Sequence, residues 1–150
     1  MNDIDVTEMG PIDYIVIEWP GRQPDGSAAP HLVDLVERGI IRLLDLVFIA
    51  KAEDGSVAGL ELSDLGEASE HFAVFEGASS GLLTDEDTEE AAKALEPGTS
   101  AALLVFENSW AAPFATAVRK SGGQLVASGR IPVQAMLAAI DAAEEAEAAA

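Results

Sequence analysis

Residues 40–62 read IIRLLDLVFIAKAEDGSVAGLEL, and this stretch decides the fold. Ile40 to Lys51 holds a dense apolar run, Leu43, Leu44, Leu46, Val47, Phe48 and Ile49, broken only by Asp45. Such a run is the pattern of a strand buried on both sides. Asp54-Gly55 then signals a hairpin turn, and Val57 to Leu62 returns with Ala58, Leu60 and Leu62 on one face. The two strands are expected to pair antiparallel.

Working outward toward the N-terminus, Asp13 to Trp19 alternates, with Ile15, Ile17 and Trp19 on one face and Tyr14, Val16 and Glu18 on the other. Period two with aromatic and β-branched residues predicts a strand, stopped by Pro20-Gly21. Pro24, Asp25, Gly26 and Ser27 form a turn-rich loop. Pro30 suits the first turn of a helix, Leu32, Leu35 and Val36 follow at helical spacing, and Gly39 ends it. Arg38 in the last turn matches the helix dipole.

Toward the C-terminus, Ser63 to Leu83 carries the weakest pattern. It predicts a short helix near Ala68–Phe75, then a loop through Gly77, Ser79, Ser80 and Gly81. Thr84 followed by Asp87 resembles a capping box, with Ala91, Ala92 and Leu95 facing inward and Pro97-Gly98 closing the helix. Ser100 to Glu107 is another buried strand. Trp110, Phe114, Ala117 and Val118 recur at helical spacing and predict a helix facing the core. After Gly122-Gly123, Gln124 to Ser128 is expected as a short strand. Pro132 opens a last helix with Val133, Met136, Leu137 and Ile140 as one stripe. Beyond Asp141 only alanine and glutamate remain, so residues 142–150 are expected to continue as helix and fray.

Two strand–helix–strand units, each crossing over right-handed, would interleave in one sheet. The fold class is α/β (α+β): a ferredoxin-like split βαβ sandwich with an added hairpin strand and a C-terminal helix. The main alternative is a small doubly wound sheet with helices on both faces.

At 150 residues the chain is expected to be a single domain able to bury a core without a staple. It has no cysteine, which removes disulfides, thiolate metal sites and thiol nucleophiles and fits a cytoplasmic location. No stretch approaches the ~20 apolar residues that span a bilayer. Asp3, Asp5 and Glu8 are the opposite of a signal-peptide start. The net charge of −19 repels phosphate backbones and anionic lipid, so neither nucleic acid nor membrane is expected as a partner.

The opening Met9-Gly10-Pro11-Ile12-Asp13-Tyr14-Ile15-Val16-Ile17-Glu18-Trp19-Pro20-Gly21 resembles that of the small bacterial proteins grouped as domain-of-unknown-function family 6325. Residues 41–48 and 61–65 resemble its second block, and residues 107–115 running into 121–132 its third. The similarity covers most of Met9 to Ile140. The layout is also similar to the wider domain-of-unknown-function 1269 group, whose relatives often carry a glycine-rich apolar insertion after the hairpin. Here that region, Gly66 to Gly81, is short and polar. The resemblance implies no activity, substrate or catalytic residue. It places residues 1–8 as an appended acidic, flexible tail before one domain at 9–141.

Few constellations carry chemistry. The serines lack a G-x-S-x-G context, and His31 and His71 have no metal-ligand spacing. Asp85 to Glu90 is a solvated, dipole-matched helix start without the pattern of a calcium loop. Glu144, Glu145 and Glu147 are likewise a solvated face. Asp45 interrupts an apolar strand, where burial needs a partner such as Arg42 or Arg130. It is either a gatekeeper in a ligand cleft or a structural cap or anchor. The turn Glu107–Asn108–Ser109–Trp110 joins a strand's C-terminal end to a helix start, where α/β sheets tend to bind ligands. Its amides would hold an anion and Trp110 would stack on a flat ligand; alternatively Asn108 or Ser109 caps the helix and Trp110 is core.

The sequence therefore leads to a non-enzymatic binding or self-assembly module, associating through a sheet edge or an alanine-rich helix as a homo-oligomer or with a protein partner. The alternative is a small-molecule or anion-binding regulatory domain using Glu107–Trp110, with Asp45 and Arg130 as further ligand residues. An enzyme is the least supported reading. No catalytic residue, metal site or cofactor is assigned.

Overall fold

The computed structural model describes residues 8–21, 24–66, 68–75 and 82–149. Most of the acidic N-terminal tail and the expected loop at residues 77–81 lie outside these. The strands are β1 (Ile12–Pro20), β2 (Arg42–Lys51), β3 (Val57–Leu60) and β4 (Thr99–Glu107). The helices are α1 (Ala29–Glu37), α2 (Ala68–Phe72), α3 (Asp85–Lys93), α4 (Ala112–Lys120) and α5 (Val133–Ala149).

The sheet order is β1-β4-β2-β3 and every pairing is antiparallel. The unit β1–α1–β2 is split by β4, and the unit running from β3 through α2 and α3 to β4 is split by β2. This is the ferredoxin-like class, and the all-antiparallel pairing removes the doubly wound alternative. The hairpin forms as read, with Phe48 opposite Leu60 and Lys51 opposite Val57. β3 stops at Leu60, short of the expected Leu62. The Glu61 N–H donates to Asp64 Oδ2 at 2.9 Å, starting a 3₁₀ turn instead of extending the ladder.

Two layers cover the sheet. On one face Phe48, Ala102 and Leu104 pack with Ala29 of α1, Leu65 and Phe72 of α2, and Phe72 meets Phe48 edge-on at 5.0 Å. On the other, Ile49, Ala101 and Leu103 pack under Ala92 of α3 and Leu95. The register of β2 breaks between Leu43 and Asp45, leaving Leu44 as the extra residue of a bulge. Parity therefore switches along the strand. Leu43 shares a face with Leu46 and Phe48, while Asp45 moves to the face of Val47 and Ile49.

Two expectations for the C-terminal third are corrected. Gln124 to Ser128 forms no strand: residues 123–132 have no regular structure, and Leu125 and Val126 stand 78% and 93% exposed. A strand exists only where a neighbour completes its hydrogen bonds, and none does so here. The helix after β4 does not turn its large apolar residues to the core either. Trp110 is 67% and Phe114 74% exposed.

Candidate functional site

The turn after β4 is held by a buried carboxylate. Glu107, the last residue of β4, pairs with Arg42 at the start of β2 (Nη2 to Oε1, 2.8 Å). The Gly10 N–H donates to its Oε2 at 2.7 Å and the Ser109 hydroxyl to its Oε1 at 3.3 Å. Glu107 thus ties together the segment entering β1, the start of β2 and the turn itself. Gly10 fits here only because it lacks a side chain, since a β-carbon would collide with the Asn108 carbonyl oxygen.

Asn108 caps nothing. Its amide group donates to the Pro11 carbonyl at 3.1 Å and to Asp13 Oδ2 at 2.8 Å, and its Oδ1 accepts from the Trp110 indole N–H at 3.2 Å. Ser109 is spent on Glu107, so neither residue caps the following helix. The backbone amides of Asn108, Trp110 and Ala111 donate to the carbonyls of Pro11, Ile40 and Asn108. These three amides are therefore not pointed at solvent for an anion. What the turn presents outward is the flat face of Trp110, one helical turn from Phe114.

The other residues singled out from sequence lie apart in their bonding. Asp45 is buried on β2 beside the bulge, opposite Val105, and Arg42 pairs with Glu107. Arg130 is exposed in the stretch between α4 and α5 and has no ion pair among the described residues. His31 and His71 are exposed, and His71 lies against Gly26, whose added β-carbon would come within 2.7 Å of its ring. No group of three or more metal-ligating side chains forms among the described residues.

A second feature was not legible as a site. On the α3 face of the sheet, α3 covers β2 and β4, and among the described residues no helix packs on β1. The result is a groove of about 620 Å³ lined by Ile12, Tyr14, Val16, Leu83, Leu103 and Val105, with Asp13, Asp87 and Glu90 at its margin. Tyr14 is 76% exposed there. Its signal in the sequence was the apolar character of both faces of Tyr14 to Trp19, which a strand covered on one side does not need.

Beyond α4 the chain leaves the body. Every residue from Gln124 to Ala149 is exposed, including the α5 stripe of Val133, Met136, Leu137 and Ile140. The departure is fixed by the end of α4. The amides of Ser121, Gly122 and Gly123 bond back into its last turn, Gly122 takes φ +88°, and a β-carbon on Gly123 would meet Val118 at 2.7 Å. The molecule thus carries an empty apolar groove and a detached apolar arm. No helix is long and apolar enough among the described residues to cross a membrane, so α5 is not a bilayer span.

No curated protein and no solved structure matches the chain. Residues 8–148 match a family of unknown function (DUF6325), and the chain belongs to that family.

Proposed function

We propose that the protein is a non-enzymatic binding module that works by self-assembly. The observation that carries this reading is the arm of residues 124–149, whose large apolar side chains are all exposed, while an apolar groove lies on the sheet. Contiguous apolar surface of this kind marks interaction sites. Helices in proteins draw most of their stability from packing an apolar face, and the stripe of α5 is such a face.

The small-molecule or anion-binding reading rests on the Glu107–Trp110 turn and has weaker support. Glu107 and Asn108 are already saturated by protein groups, which leaves only stacking on Trp110 as a binding force. Light scattering across micromolar to near-millimolar concentration tests the first reading. A mass above the 15.6 kDa of one chain that grows with concentration supports it. A strict monomer throughout rejects it.

A further inference from the structure

The groove and the arm answer each other. The groove is walled by aliphatic and aromatic side chains, and its margin carries the carboxylates of Asp13, Asp87 and Glu90. The arm supplies the complement: an aliphatic stripe from Val133 to Ile140 with no charge within it, preceded three residues before the start of α5 by a cation, Arg130. The strongly acidic part of α5, Asp141 to Glu147, follows the stripe, with Asp141 one helical turn beyond Leu137 and Glu144 one turn beyond Ile140. β1 is an edge strand, and no strand lies along its outer side among the described residues. Such an edge is a template for another strand. Gln124 to Ser128 has the composition of one and lacks only a neighbour.

We propose that two copies of the chain exchange these arms. Residues 124–128 of each copy pair along the outer edge of β1 in the other. The stripe Val133, Met136, Leu137 and Ile140 fills the other's groove beside α3, and Arg130 sits at the acidic margin. The occupant is a second copy and not the chain's own arm because, within one chain, every residue from Gln124 to Ala149 stands exposed, off its own groove, while α4 is closed by the backbone bonds of Ser121–Gly123. The same groove and the same arm occur on each copy, so the exchange is reciprocal and closes as a two-fold dimer. This inference rests on the self-assembly reading and specifies its partner and geometry.

The chain has no cysteine, so the test is clean. Tyr14→Cys and Met136→Cys variants, both at exposed positions, are made separately, tagged differently, mixed and mildly oxidised. Circular dichroism confirms that each remains folded. The expected result is a two-chain disulfide joining one variant to the other, at least tenfold more abundant than either variant's self-linked product. In the double variant, Tyr14→Cys with Met136→Cys, the link is expected between chains. An intramolecular disulfide at the mass of one chain would overturn the exchange by showing the arm on its own groove. A dimer by light scattering without the cross-link overturns the exchange and leaves self-assembly standing, whereas a strict monomer removes both. Arg130→Gln is expected to weaken association roughly two- to five-fold at low salt. An unchanged affinity removes Arg130 from the contact.

Discussion

The turn after β4 and the arm after α4 lie within one stretch of chain, and they treat their surface groups in opposite ways. At the turn nearly every polar group is spent inside the fold. Glu107, Asn108 and Ser109 bond to groups drawn from residues 9–13, 42 and 110, and the turn's amides bond to backbone. On the arm the large apolar groups stay exposed. The comparison teaches that chemical interest in a sequence and unsatisfied surface in a structure are different properties. The polar turn is a structural knot, and the bland aliphatic arm is where binding energy is available.

The largest effect should come from cutting the knot. Glu107→Ala removes one partner of a pair that is 8% exposed on the carboxylate side, and strands the Arg42 guanidinium, whose Nε already lacks a partner. The expected cost is about 2–3 kcal/mol of unfolding free energy, read by urea titration. A variant as stable as the parent would mean that the knot holds nothing. Gly10→Ala should follow at about 1–3 kcal/mol, because the new methyl must displace the Asn108 carbonyl.

The arm predicts the reverse pattern. Met136→Asp combined with Ile140→Asp replaces two exposed side chains, so the unfolding free energy of the dilute protein, read by urea titration, should stay within about 0.5 kcal/mol of the parent. Association should fall by more than tenfold in sedimentation experiments. If the midpoint instead drops sharply, the stripe is packed in the monomer and the contrast between the regions fails.

Salt sharpens the contrast further. Copies that each carry −19 repel, and raising ionic strength from 0.1 to 1 M shortens the Debye length from about 10 to about 3 Å. Arm-driven association should therefore tighten with salt, although the Arg130 contribution weakens. Docking of a basic partner on the acidic surface would loosen instead.

The smallest expected effect is at the hairpin. Hydrogen bonds from the Ser56 hydroxyl and backbone N–H hold the exposed Asp54 carboxyl below its ordinary value. Its folded pKa is lower than its unfolded one, so its contribution is complete above the unfolded value and is lost as pH falls through the folded value. Asp54→Asn should flatten that part of the acid-unfolding curve slightly and leave neutral stability almost unchanged.

Much of the fold was legible because it depends on short-range rules. The Thr84–Asp87 capping box forms reciprocally, with Asp87 N–H on Thr84 Oγ1 at 3.2 Å and Thr84 N–H on Asp87 Oδ2 at 2.9 Å. Gly39 takes φ +70° just past α1, and Asp54-Gly55 turns the β2–β3 hairpin. What escaped the sequence depends on register and on neighbours. The bulge at Leu44 reassigns Asp45 to the other face, which no periodicity announces. The pairing of Arg42 with Glu107 exists only because β2 and β4 lie side by side with those residues opposed. Gln124 to Ser128 read as a strand because its composition is that of one, but a strand is a property of two segments. Trp110 and Phe114 read as core because helical spacing names a common face without saying what that face meets.

Hydrogen–deuterium exchange, followed peptide by peptide at low and high protein concentration, tests the account most directly because it reads both regions at once. The peptides covering residues 9–13 and 107–111 should be equally protected at both concentrations. Those covering residues 124–140 should exchange rapidly in dilute solution and become protected as concentration rises, together with residues 14–20 of β1. Arm protection that is strong and independent of concentration would contradict the account, since the apolar stripe would then already be buried within one chain.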